Sequence, residues 1–357
     1  MKRLLALLLS LCLLLCGCRY PTRLEPKPVT VPTEPTEESQ PEPSGLRVHY
    51  LDVGQADCIL LECDGQSMLI DGGNRDDSRL LVAYLQAQGV EKLAAVVCTH
   101  AHEDHVGGLP AALAVFPTRA VYAPVQTYDS QVFEDFLRYT DQQGLGLTVP
   151  SPGDEWMLGE ARVTVLGPVK SYDEPNNTSI VLLVEYGTTR FLFTGDMEAE
   201  AEGDRLDHWA GEMNWDVDVL KVGHHGSDTS SGYRFLYETQ PEYGIISVGT
   251  DNPYGHPSGD VLKRYADAGV AVYRTDRLGH VVAHSDGETV TLTWEKESAE
   301  PEATQDAEGI TFIANRKSGV FHSSQCGSLP KESNRIYFDS YQEALDAGYT
   351  PCGGCLG

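Results

Sequence analysis

Positive charge is scarce in this chain. Lys and Arg total 26 against 53 Asp and Glu, a formal net charge of −27. A protein that coats nucleic acid without regard to sequence needs a basic face, so this balance argues against that class. An enzyme that meets a polyanion at one local, metal-charged site is not. No repeat of solenoid length recurs. The leucine-rich run near the start is shorter than the roughly 18–20 residues a membrane-spanning helix needs. What remains, 357 residues with 41% hydrophobic content, is enough for one large core plus a small module.

The opening "MKRLLALLLSLCLLLCGC", residues 1–18, has a basic start, an apolar stretch and a small-residue region, and reads as a signal peptide. Leu15-Cys16-Gly17-Cys18 resembles a bacterial lipobox, which implies cleavage before Cys18 and a lipid anchor there. The protein would then be exported and held on the outer face of the cell membrane, or in a periplasm. Residues 19–45 are rich in Pro, Glu and Thr and form a disordered spacer. At ~3.1 Å per residue in polyproline form it reaches roughly 80 Å. A second acidic, Ala/Pro-rich break at 295–309 separates a body, 46–294, from a tail, 310–357.

Within the body, strand-like and helix-like runs alternate. "LRVHYLDV", "DCILLEC", "SMLID", "KLAAVVCTH", "ARVTVLG", "SIVLLVEYG", "TRFLFTGD", "VDVLKVGHH" and "YGIISVGT" read as strands. "SRLLVAYLQAQG", "VGGLPAALAVF" and "GDVLKRYADAG" read as helices, and "HVVAHSDGETVTLTW" as a hairpin. The pattern predicts two mixed sheets with helices outside.

The stretch "CTHAHEDHVGG" puts His100, His102, Asp104 and His105 directly after an apolar strand. Loops at strand ends carry sites because the sheet fixes their direction. Imidazole and carboxylate suit zinc, and more loosely manganese. This stretch, with "MLIDGG", "FLFTGD" and "LKVGHHGS", resembles the metallo-β-lactamase fold superfamily across about 46–294. The resemblance implies a four-layer αββα sandwich holding two divalent ions, Zn or Mn. In it Asp71 supports the metal loop, Asp196 bridges the ions, and His100, His102, Asp104, His105 and His225 complete the ligands. His224 and His225 close an apolar strand, where neighbours face opposite ways. Similarity to related phosphodiesterases assigns His225 to the ion and His224 to substrate contact or proton donation. Asp104, Asp196, His224 and His256 are the catalytic candidates; Ser227, Asn177 and Lys221 are the substrate-binding ones. Many relatives supply a third histidine to the first ion, but none lies between His105 and Asp196 here, where "SYDEPNNTSI" stands instead. An oxygen from Asn177 or water would take its place.

More narrowly, "LDVGQADCILLE", "NNTSIVLLVEYGTTRFLFTGD", "VLKVGHHGS" and "NPYGHPS" are similar to the hydrolase domain of ComEC-type DNA-uptake proteins, without their membrane channel. In the tail, His322, Cys326, Cys352 and Cys355 have the spacing of a structural zinc site. The alternative, a disulfide, leaves one of three cysteines unpaired. The tail is similar to the metal-binding domain of the Ada DNA-repair protein, with His322 standing where that domain has a cysteine.

The ligand set implies hydrolysis, and the ComEC-like motifs imply cleavage of DNA phosphodiesters outside the cell. Two other readings stay open: a small-molecule or cell-wall phosphodiesterase, such as a phosphorylcholine esterase, and a non-catalytic surface DNA-binding lipoprotein.

Overall fold

The computed structural model describes residues 45–296, 299, 301, 311–324, 326–339 and 341–356. The expected signal segment 1–18, its Cys18 and the spacer up to residue 44 lie outside the described residues, as does most of the acidic break. No described helix is long and apolar enough to cross a membrane.

Two sheets face each other across one core. Strands β1 (Leu46–Tyr50), β2 (Cys58–Cys63), β3 (Gln66–Gly72), β4 (Ala95–Val97), β5 (Val121–Tyr122) and β6 (Leu147–Thr148) begin the first. The second contains β7 (Glu155–Leu158), β8 (Ala161–Gly167), β9 (Val181–Tyr186), β10 (Thr189–Phe193), β11 (Val219–Lys221), β12 (Tyr243–Ile246) and β13 (Ala271–Arg274). The chain then returns to the first sheet as the hairpin β14 (Val281–Ser285) and β15 (Val290–Trp294). The orders are β15-β14-β1-β2-β3-β4-β5-β6 and β13-β12-β11-β10-β9-β8-β7.

Period-two side-chain placement decides the layers. On β2, Ile59, Leu61 and Cys63 point between the sheets, while Cys58 and Leu60 point to the outer helices. On β10, Phe191 and Phe193 point inward and Leu192 outward. Because both faces are covered, these strands read as unbroken apolar runs. Helices α1 (Ser78–Ala87), α2 (Glu103–Val106), α3 (Leu109–Val115) and α4 (Gln131–Gln142) lie on the first sheet's side. Helices α5 (Ala199–His208), α6 (Tyr233–Thr239) and α7 (Gly259–Asp267) cover the second, and α8 (Thr275–Leu278) is a single turn before β14. This is the four-layer sandwich the resemblance implied.

The helix expected over "VGGLPAALAVF" is realised as α3, and Gly107-Gly108 separate it from the short α2 before it. Here the chain drops onto β3: a Cβ on Gly108 would stand 2.1 Å from the Gly72 carbonyl oxygen. Only glycine allows that approach, and it brings the histidine loop against Asp71.

The tail forms a small sheet of β16 (Phe312–Asn315), β17 (Val320–His322), β18 (Arg335–Phe338) and β19 (Thr350–Pro351), ordered β18-β16-β17-β19, with helix α9 (Tyr341–Asp346). It packs on α6: the Tyr233 and Phe312 rings are 5.9 Å apart, those of Tyr237 and Tyr341 5.0 Å.

Candidate metal centre

The site is built where β3, β4, β10 and β11 end on one edge of the sandwich. Asp71, near the end of β3, is buried and receives three hydrogen bonds. Its Oδ1 accepts from the Thr99 N–H at 2.7 Å, and its Oδ2 accepts from the Thr99 hydroxyl at 2.6 Å and from His105 Nδ1 at 2.8 Å. With Nδ1 donating, His105 presents the lone pair of Nε2 to the opposite side. His225 is held in the same way, its Nδ1 2.9 Å from the Ser247 carbonyl oxygen. His105 Nε2 lies 3.3 Å from Asp196 Oδ2, and His225 Nε2 lies 3.3 Å from Asp104 Oδ2 and 3.5 Å from Asp196 Oδ2. Asp104, His105, Asp196 and His225 thus offer four donor atoms within 4.8 Å of one another.

These residues fit a divalent cation. His105 Nε2, His225 Nε2 and Asp196 Oδ1 are buried without a hydrogen-bond partner, a costly arrangement unless a ligand satisfies them. The electrostatics agree. Burial opposes charge on His105, yet the carboxylates of Asp196, Asp71 and Asp104 pull its pKa well above the ordinary imidazole range. His225, equally buried, is pulled up to about 10 by Asp196 and Asp57. A cation at this point replaces the protons that the carboxylates attract.

His100 and His102 stand beside this cluster. His100 Nε2 is 3.0 Å from His102 Nδ1 and 4.0 Å from Asp196 Oδ2. Burial, reinforced by the neighbouring His105, holds His100 well below its usual pKa. It is therefore neutral and available as a ligand.

The pair His224-His225 does not lie on a strand, as alternation assumed. β11 ends at Lys221, and both histidines occupy the left-handed region, φ 47° and 51°, in the turn Gly223–Gly226. Such backbone costs on the order of 1–3 kcal/mol per residue and persists where surroundings impose it. The turn sends His225 into the buried cluster and leaves His224 partly exposed. His224 Nδ1 faces Glu198 Oε1 at 3.3 Å and Thr229 Oγ1 at 3.2 Å, and Nε2 is 3.8 Å from Asp196 Oδ2. The His256 ring is 5.6 Å from that of His224. Gly249 N–H donates to Gln55 Oε1 at 3.1 Å, which turns Gln55 Nε2 toward His256 Nδ1 at 3.4 Å. His256 Nδ1 is then the acceptor and Nε2–H the free donor.

Three expectations need correction. Lys221 is fully buried with Nζ 2.6 Å from Asp57 Oδ2, so it neutralises a core carboxylate and cannot reach substrate. Asn177 is buried with Oδ1 accepting from the Glu198 N–H at 3.0 Å, so its oxygen holds the turn after Asp196. Ser227 is buried, its hydroxyl 3.0 Å from Thr229 Oγ1, and it shapes the histidine turn from inside.

The sequence reading missed two residues. Asp57 is buried beneath both cluster histidines, 3.4 Å from His225 Nδ1, with its pKa brought down to about 2: burial opposes this, and Lys221 and His225 achieve it. Its signal lay in "GQAD", quoted for the resemblance but given no role. Asn176, rather than Asn177, turns toward the site, its Nδ2 3.5 Å from His224 Nε2 and its Oδ1 buried without a partner. Nothing local in "PNNT" distinguishes the two.

In the tail, His322, Cys326, Cys352 and Cys355 bring four donors within 4.8 Å, with His322 Nδ1 3.2 Å from Cys326 Sγ. The three cysteines are free thiols, as are Cys58, Cys63 and Cys98 in the core. One imidazole and three sulfurs at this spacing are a zinc donor set.

Comparison with known proteins agrees. Residues 51–250 match the metallo-beta-lactamase superfamily, and 298–356 match the metal binding domain of Ada. The chain is 31% identical over 253 residues to ComE operon protein 3 of Bacillus subtilis, covering 66% of this chain and 32% of that protein. It is 31% identical over 231 residues to competence protein ComA of Neisseria gonorrhoeae, covering 64% and 30%. Against recombination protein 2 of Haemophilus influenzae it is 30% identical over 242 residues, covering 66% and 28%. The match thus spans about a third of the length of these relatives. Taken with the donors that gather at the sheet ends, the match over most of both sheets places this chain in the metallo-β-lactamase superfamily, related through its body to competence proteins and through its tail to the Ada metal-binding domain.

Proposed function

We propose that the chain is an exported, lipid-anchored, metal-dependent phosphodiesterase that cleaves DNA outside the cell. The observation that carries this is the convergence of Asp104, His105, Asp196 and His225, two of whose imidazole nitrogens are aimed and unsatisfied. Divalent ions bound here supply Lewis acidity and lower the pKa of water to near neutrality. The chain's own residues do the rest. Asp71 and the Ser247 carbonyl hold His105 and His225 in the tautomer that exposes Nε2. Asp104 and Asp196 bring negative charge to the cluster. His224, with Nδ1 3.3 Å from Glu198 Oε1 and Nε2 3.8 Å from Asp196 Oδ2, stands beside the cluster and, when both ring nitrogens carry hydrogen, delivers a proton from Nε2 to the leaving oxygen. His256 contributes its Nε2–H to a phosphoryl oxygen. His100 and His102 are assigned to a second, more exchangeable ion.

DNA is favoured over other phosphodiesters by the relation to competence proteins. The second reading, a phosphodiesterase for small molecules, draws on the net charge of −27, which repels a polyanion. Incubating the chain with single- and double-stranded DNA and with bis-p-nitrophenyl phosphate, each with Mn2+ or Zn2+, separates them. Cleavage of DNA supports the proposal. DNA left whole in every condition while the small ester is cut overturns it in favour of the second reading. Export is tested in cells: Cys18→Ala should move the protein out of the membrane fraction, and an unchanged fraction would remove the anchor.

A further inference from the structure

An exposed aromatic stands at the rim of the centre. Tyr254 is 70% exposed, unlike the buried rings of the core. A single exposed ring is ordinary on a protein surface; this one lies against a histidine of the site. Its ring stacks on His256, centroids 5.7 Å apart and planes 26° apart, and His256 in turn meets His224 at 5.6 Å. Asn252 fixes the loop from within. Its Oδ1 accepts from the Tyr254 and His256 N–H groups at 3.2 and 3.0 Å, and its Nδ2 donates to the Gly249 and His256 carbonyls at 3.0 and 2.6 Å. Gln55, from the turn before β2, ties the same loop at Gly249 and His256. The loop that carries the ring is thus tied in place, and the ring keeps one face open beside His256.

The electrostatics say what that face is for. Lys221, three residues before His224, is buried and paired with Asp57, and the chain as a whole is acidic. In so acidic a chain, a contact to nucleic acid that needs no cation adds affinity without requiring a track of phosphate contacts. Base stacking needs no cation, because every base has a π-face. A paired base inside a duplex hides its faces, so a stacking platform takes an unpaired base.

We propose that Tyr254 is a substrate-binding residue that stacks the nucleobase next to the scissile phosphodiester, so that this site selects single-stranded nucleic acid and binds it with little salt dependence. This rests on the phosphodiesterase reading and adds the specificity determinant. Stacking on one aromatic is worth roughly five- to a hundredfold in affinity. Few neutralised phosphates give a shallow dependence of binding on salt.

The test is binding of a fluorescently labelled single strand to the full chain, followed by anisotropy in the presence of chelator, against a strand of equal length carrying abasic positions. Wild type should prefer the base-bearing strand by about tenfold, Tyr254→Ala should lose the preference, and Tyr254→Phe and Tyr254→Trp should keep it. A preference that survives Tyr254→Ala, or none in wild type, overturns the inference. Cleavage assays separate this from the reading beneath it. If strands are bound through Tyr254 but never cut with Mn2+ or Zn2+, the phosphodiesterase reading fails and the platform stands. If strands are cut with a KM that Tyr254→Ala does not change, the platform fails and the reading stands.

Discussion

At the scale of single residues, the polar groups of the centre divide into those that face its open side and those that hold the others. Asp71 holds: its carboxylate accepts from the Thr99 N–H and hydroxyl and from His105 Nδ1. Asp71→Asn puts a donor against a donor and frees the His105 tautomer, so metal affinity should fall about 10–100-fold in a competition titration. Lys221 belongs to the holding set as well. Lys221→Met leaves the Asp57 carboxylate buried without its cation, which should cost on the order of 3–5 kcal/mol in a urea titration. Unchanged stability with a raised KM would restore Lys221 to the substrate. His100, His102, Asp104, His105, Asp196 and His225 stood out because their spacing after apolar strands matches a known pattern, and the structure gathers Asp104, His105, Asp196 and His225 of them. Lys221, Asn177 and Ser227 sit in the same motifs, yet which motif residues face outward is decided by the turn at φ 47° and 51° and by packing between sheets, neither of which a linear pattern encodes.

At the scale of elements, strands were readable because burial on both faces leaves continuous apolar runs. Helices α4, α5 and α6 were not named from sequence. Helix α5, "AEAEGDRLDH", has low apolar content and a buried face that includes Glu202 and Arg205, so no apolar stripe announces it. Glu202 does structural work there: its Oε1 accepts from the Ser231 N–H and its Oε2 from the Gly232 N–H at 2.9 Å, tethering the start of α6. Burial raises its pKa from 4.5 to about 7 against the pull of those amides. The folded form thus keeps a proton that the unfolded chain releases. The stability this contributes is complete below about pH 4.5 and is lost as pH rises through about 7. A rise of this size is worth on the order of 3 kcal/mol. Denaturant midpoints should fall across that window in wild type, and Glu202→Gln, neutral throughout, should lose this part of the slope. An identical slope in both would show that Glu202 is ionised in the folded state.

At the scale of the whole molecule, fold class and two-part organisation were legible, and the docking of the parts was not. The tail packs its aromatic core on Tyr233 and Tyr237 of α6. No feature of the linker between body and tail foretells that contact, because it is made by scattered aromatics on separate elements. The tail's own core is small, and an ion held by its four-donor cluster would supply the staple that small modules need. Chelation should therefore open 311–356 to limited proteolysis while 46–294 stays resistant; a tail equally resistant with and without chelator would show that packing on α6 suffices.

The central claim is that Asp104, His105, Asp196 and His225 hold a divalent ion and that phosphodiester cleavage depends on it. The most direct measurement titrates Mn2+ into chelator-stripped protein while following cleavage of a fluorescent single-stranded DNA. Cleavage should be absent at the start, rise to saturation as metal is added, and stay absent at every metal concentration in Asp196→Ala. Cleavage that persists in chelator, or that Asp196→Ala supports at the wild-type rate, would contradict the account.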